Sequence, residues 1–229
     1  MSPRMSSMTV IYWYTILIIL GMLSSIPCFF LNTDQNKKKH LIIFLILVLV
    51  TIVELWGRHK ALLGQNNSLI YNVGYILMGL SLKLYFFFYV FKEKKEKRFV
   101  LIFLTAYLSW CIINFLFFQP HRIFHHYSFA FGSLIIIGFC FYFFYGIFFK
   151  NWYLDRNLLV VSEFWVISFL MFFYSASFLH FISFKFYIEK MNIDLFRQLS
   201  FLVKILGNMM YVVMGLAFYA PLLFKEREK

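Results

Sequence analysis

The sequence predicts an all-α integral membrane protein, a bundle of seven transmembrane helices with its amino terminus outside and its carboxyl terminus in the cytoplasm. Three observations predict it. Of 229 residues, 62% are apolar, 23% aromatic and only 14% charged, whereas a soluble domain is roughly one-quarter charged and half apolar. Apolar runs long enough to cross about 30 Å of hydrocarbon, which takes about 20 helical residues, recur seven times. Basic residues gather in alternate links between those runs.

The runs fall near 8–31, 41–57, 69–91, 99–118, 129–149, 158–184 and 199–224. Backbone amides in hydrocarbon must pair internally, which leaves helices or the strands of a closed barrel. Barrel strands alternate in polarity, and "LIIFLILVLVTIV" in the second run does not. The first run exceeds the roughly 7–15 residue core of a signal peptide and lacks a small-x-small cleavage site, so it is expected to stay as a helix. Pro27 directly before Cys28 speaks against a lipoprotein site.

The third run carries Gly74, Gly79 and Ser81, and the seventh carries Gly207, Gly215 and Ala217. Small residues let helix backbones approach in a membrane, so these two helices are expected inside the bundle. The Phe- and Tyr-rich "FCFYFFYGIFF" of the fifth run reads as lipid-facing. Cys28, Cys111 and Cys140 lie in apolar runs and read as small buried hydrophobes. Links of roughly 7 to 15 residues are too short for an extramembrane domain, so residues 1–229 are expected to form a single domain.

Thirteen Lys and Arg fall in the links 32–40, 92–98 and 150–157 and the tail, against seven on the opposite side, and Lys83 and Lys204 complete the 22. Cytoplasmic links carry such an excess, which sets the orientation. The runs "KKKH" and "KEKKEKR" then anchor loops and meet anionic lipid at about 1 kcal/mol per charge. The net charge of +12 is a topology signal, and nucleic acid is not an expected partner. A bacterial cytoplasmic membrane is the expected location.

Polarity concentrates on the outer side, in "ELWGRHKALLGQNNSLIYN" and "QPHRIFHHYS". Ionisable groups inside membrane helices are costly and mark pockets or pathways. Counting depth along the helices puts Glu54, His180 and Lys204 about three to five residues below the outer ends, within one helical turn of each other. Asn72, Asn114 and Asn208 lie at similar or slightly greater depth, and Arg58 stands in the outer link just beyond the second run. An outward-facing polar ligand pocket of these seven residues is expected, with Glu54 opposed to Lys204. The competing reading is that the charged members only snorkel to the interface. Deeper, Lys83 and Glu163 are expected to form a structural ion pair.

His121 and His125 have the i, i+4 spacing of a helical zinc pair, and His126 and His59, with His180 and Glu54, offer further ligands. Zinc is therefore a weak alternative, since histidines also suit an interfacial belt. A retinal linked to Lys204 lacks an acidic counter-ion in the third run, and no G-x-S-x-G or phosphate-cradling loop is present. No catalytic residue and no cofactor is predicted.

At "ELWG", "NNSLIYNVGYI", "SEFWVISFLMFFYSASF" and "ILGNMMYVVMGLAFY" the chain resembles the small seven-helix membrane proteins of Bacteroidota that occur alone or as input modules ahead of histidine kinases. The resemblance covers roughly half of the chain, on helices two, three, six and seven. It implies that Glu54, Asn72, Phe164, Trp165, Asn208 and Tyr211 matter, and that a kinase would be a separate cytoplasmic partner. The expected function is a sensory or receptor-like membrane protein. A proton- or ion-coupled transporter, with Lys83 and Glu163 continuing the polar path, and a membrane-embedded metal enzyme are the alternatives.

Overall fold

The computed structural model describes residues 3–31, 34–120, 122–154, 156–182 and 193–224, and no strand occurs among them. Seven helices are long and apolar enough to span a membrane. They are α1 (Trp13–Leu31), α2 (Asn36–Leu62), α3 (Ser68–Val90), α4 (Lys94–Phe118), α5 (His126–Phe149), α6 (Ser162–Ile182) and α7 (Phe196–Leu223). Alternating directions give two faces: the amino-terminal face, with links 63–67 and 119–125, and the carboxyl-terminal face, with links 91–93 and 150–161.

Helix two begins earlier and ends later than the apolar run predicts, because hydropathy registers only its apolar part. Its polar ends, "DQNKKK" and "GRHKAL", remain helical. The helix stops where Gly64 takes φ +68, a left-handed conformation that costs glycine little, with the Gln65 N–H closing onto the Lys60 carbonyl at 2.9 Å. In α1, Pro27 interrupts the helix between Pro3–Ser25 and Cys28–Leu31, since its ring cannot donate a backbone hydrogen bond.

Two segments depart from α geometry. Tyr71–Leu80 of α3 and Asn114–Phe118 of α4 are wound as π-helix, a form usually confined to single turns and frequent at functional sites. In α7, a 3-10 turn at Ala217–Tyr219 separates the main helix from Ala220–Leu223.

The helices pack in a closed ring in which α1 meets both α2 and α7, while α3 contacts α2, α4 and α5. Helix α3 is the most buried, at 56% of its apolar window, but α2 at 50% outranks α7 at 39%. The expectation of two interior helices thus holds for α3, and α2 takes the second place. Helix α7 spends its small residues on one neighbour instead. A Cβ on Gly215 would lie 2.1 Å from the Gly21 carbonyl oxygen, and one on Gly21 would lie 2.8 Å from that of Tyr211. Only glycine permits that α1–α7 backbone contact. The Tyr219 hydroxyl then donates to the Ser24 carbonyl at 2.8 Å, pinning the same two helices near the carboxyl-terminal face.

Candidate functional site

The amino-terminal face is tied down by amides. Asn72, buried on the first π-turn of α3, donates from Nδ2 to the Ile123 carbonyl at 2.8 Å and accepts the His125 N–H at 3.0 Å. Asn114, fully buried at the start of the α4 π-segment, donates to the Ser128 hydroxyl at 2.8 Å and to Gln119 Oε1 at 3.1 Å. Asn66 and Asn67 hold the Arg122 and Gly57 carbonyls. Of the three predicted pocket asparagines, Asn72 therefore serves the 119–125 link by satisfying two backbone groups that would be costly to bury unpaired, and Asn114 ties the Gln119 and Ser128 side chains together.

Beneath this layer Tyr71 donates to Glu54 Oε2 at 3.4 Å. Lys204 is exposed and acts on Glu54 only electrostatically, without forming an ion pair. Glu54 and Lys204 thus interact only at a distance, because equal depth does not fix position around the bundle. Half-buried Arg58 lies one turn nearer the face. His180 turns toward α7, where its Nε2 lies 3.3 Å from Ser200 Oγ and its ring stacks on Phe196. Asn208 is half-buried, and its Oδ1 has no hydrogen-bond partner.

Deeper still, Tyr71, Tyr75, Gly79 and Lys83 repeat every four residues along α3. The Tyr75 hydroxyl bonds to that of Tyr211 on α7, with Tyr14 of α1 beside it. Lys83 is fully buried, and its Nζ makes no hydrogen bond. Its stem runs back toward Gly79, so the ammonium lies 5.4 Å from the Tyr75 ring centre and 5.7 Å from that of Tyr211. Aromatic faces attract a cation through the ring quadrupole, and among the described residues they are the compensation at this ammonium. The Tyr174 and Ser177 hydroxyls of α6 are also buried without partners. Buried polar atoms in such a state are exceptional in folded proteins.

Lys83 and Glu163 do not form the expected pair. Glu163 is bonded instead to Lys39, which the loop-anchor reading of "KKKH" had assigned to a link and which belongs to the first turns of α2. The longer α2 brings Lys39 to the amino-terminal end of α6, leaving Lys83 alone in the interior.

The histidines do not converge. His59 is exposed, His125 is buried against the Phe115 ring, His126 packs on Phe124, and His121 lies outside the described residues. No three His, Cys, Asp or Glu side chains assemble among the described residues. Of the positions drawn from the resemblance, Trp165 donates from Nε1 to the Leu159 carbonyl at 3.0 Å and stacks on Phe224. Phe164 packs edge-on against Phe144.

No family model, curated protein or solved structure matches the chain. The site therefore stands on its own geometry.

A second polar cluster, not foreseen from the sequence, sits at the carboxyl-terminal face. Buried Glu96 accepts from the Tyr142 hydroxyl at 2.8 Å and from Lys150 Nζ at 3.2 Å, and Lys150 also donates to Tyr142 at 2.7 Å. Those bonds, to Tyr142 and then to Glu96, hold the Lys150 ammonium well above the ordinary lysine range. Burial, followed by the nearby Glu163 carboxylate, raises the Tyr153 phenol in the adjoining link.

Proposed function

We propose that the chain is a sensory, receptor-like protein of a bacterial cytoplasmic membrane. Its amino terminus and the amide-rich face lie outside, and its carboxyl-terminal face meets a separate cytoplasmic signalling partner such as a histidine kinase. The ligand site is the polar interior between Glu54 and Lys83, bounded by α1, α3, α6 and α7. One observation carries this reading: Lys83 is buried without a hydrogen-bond partner directly beyond a ten-residue π-helix. A buried cation without a counter-ion is costly, so a small anion or hydrogen-bond acceptor arriving there gains from a group that the fold leaves unmatched. The π-segment is the element it biases, since a ligand acts only through differing affinity for two states.

The unpartnered Tyr174 and Ser177 hydroxyls, with Lys83 unpaired by Glu163, favour a second reading as a proton-coupled transporter. One preparation separates the two. Spin labels at Lys94→Cys and Leu222→Cys, in lipid nanodiscs, are expected to change separation when acetate is added or the pH is taken from 8 to 5. Lys83→Met is expected to abolish that response. Distances that stay fixed under both treatments sink the sensor. Proton flux into liposomes that disappears in Lys83→Met establishes the transporter instead.

A further inference from the structure

The polar interior leaves unexplained an apolar groove of about 740 Å³ on the outside of the bundle, between α4 and α5. That volume lies within the roughly 300–1,000 Å³ of small-molecule sites. Helix α4 is the least buried of the seven, with 22% of its apolar stretch buried. The walls are phenylalanines, among them Phe99, Phe103 and Phe139, and exposed Phe99 and Leu134 form the sideways opening toward hydrocarbon. A Cβ built on Gly138 meets nothing within 4 Å, so the groove is open down to the α5 backbone there.

The end of the groove at the carboxyl-terminal face is polar and charged, where Glu93, Lys95, Glu96 and Lys150 line it. Their charges are not equally available. Glu93 and Glu96 are engaged in the capping box that opens the α4 helix, and Glu96 is further occupied by Tyr142 and Lys150. Lys95 is exposed and makes no hydrogen bond or ion pair among the described residues. Lys94 and Arg98 stand exposed on the same turns. What remains for a ligand is positive charge at an interfacial helix start, above an apolar slot that runs into the membrane.

We propose that this groove is a binding site for one anionic phospholipid, with an acyl chain lying between α4 and α5 and the head-group phosphate on Lys95 beside the Glu96–Lys150 bridge. A lipid fits better than a water-soluble ligand because the opening faces hydrocarbon while the cation sits at head-group level. Anionic lipid is chosen over zwitterionic because Glu96 is already bridged to Lys150, and Lys94, Lys95 and Arg98 outnumber the exposed Glu93 carboxylate at the mouth.

Native mass spectrometry of the purified full chain, offered phosphatidylglycerol and phosphatidylethanolamine with the same chains, tests this. One phosphatidylglycerol is expected to be retained, with a preference of about fivefold per basic residue engaged. Lys95→Glu should erase the preference while a lipid of either kind still binds. Gly138→Leu, whose side chain enters empty space and suits a helix, should lose the lipid altogether. Leu134→Trp, which narrows the opening from an exposed position, should weaken retention as well and covers the case in which Gly138→Leu does not fold. Retention of phosphatidylglycerol at the parent level in the groove variants overturns the proposal, as does a parent protein that holds both lipids equally.

Discussion

The ammonium of Lys83 faces the ring of Tyr75 at 5.4 Å, while the hydroxyl of that tyrosine is bonded to Tyr211 on another helix. One side chain thus binds a helix partner at its tip and carries the interior cation on its face. An ionisable residue in a membrane helix costs about 2.5–3.5 kcal/mol, and desolvated aromatic faces return about 2 kcal/mol. Lys83→Met is therefore expected to raise stability by about 1 kcal/mol in a thermal or denaturant melt in detergent while abolishing the proposed response. A variant that is several kcal/mol less stable would mean that the lysine is structural and already matched.

Asn72 closes two backbone groups of another segment. Asn72→Ala leaves the Ile123 carbonyl and the His125 N–H unanswered, at about 1–3 kcal/mol for each buried group, and should lower stability by about 3 kcal/mol. Asn66→Ala, on an exposed residue whose partners, the Arg122 carbonyl and the Ser68 N–H, can turn to water instead, should cost less than about 1 kcal/mol. Equal losses in parallel melts would remove the distinction between the two.

Glu54 has Tyr71 as its hydrogen-bond partner and Lys204 only at a distance. In double-mutant cycles, Glu54→Gln and Tyr71→Phe should couple by about 0.5 kcal/mol or more, and Glu54→Gln and Lys204→Met by less. A larger coupling to Lys204 would restore the opposed pair expected from depth alone.

Two glycines fail differently. A Cβ on Gly74 would sit 2.2 Å from Val53 Cγ2, a side-chain atom, whereas one on Gly215 meets the Gly21 backbone. Gly74→Ala should cost about 1–3 kcal/mol and be largely rescued by Val53→Ala. Gly215→Ala should cost more, and trimming Ser24 should not restore it. Rescue of both, or of neither, would contradict the packing described.

Lys150 gives a pH signature. Its folded-state pKa is raised by Tyr142 and Glu96, so the stability it contributes is complete below the ordinary lysine value of about 10.4. It is lost only as pH rises from there through the higher folded-state value. The melting difference between parent and Lys150→Met should be constant from pH 6 to 9 and shrink only in stronger alkali. A difference that already fades near pH 8 would contradict the bridge.

The number of helices long and apolar enough to span a membrane was legible because length and hydropathy are properties of the sequence itself, and α3 announced its interior position through Gly74 and Gly79. The ends of α2 were not, since Arg58, His59 and Lys60 continue a helix that hydropathy cannot see. Site residues were legible by height but not by partner. Counting along a helix put Glu54 level with Lys204, and Lys83 at a height that suited Glu163, yet it says nothing about which way each side chain points. The four-residue repeat of Tyr71, Tyr75, Gly79 and Lys83 was the signal that could have found the inner cluster. Lys39 was misread because a lysine run looks like a loop even where it opens a helix. Glu96 and Lys150 are 54 positions apart, and nothing local joins them.

The Gly21–Gly215 contact has a consequence for how the protein is made. It joins α1 to α7, so the seam that closes the ring cannot form until residue 215 has been synthesised. Until then α1 waits with its glycine face uncovered, and it gains nothing from the hydrophobic effect within lipid, where close packing is what favours helix association. A nascent chain stalled before residue 215 is thus expected to be an open arc of helices, vulnerable to proteolysis and to pairing with another incomplete copy through the same bare glycine surface.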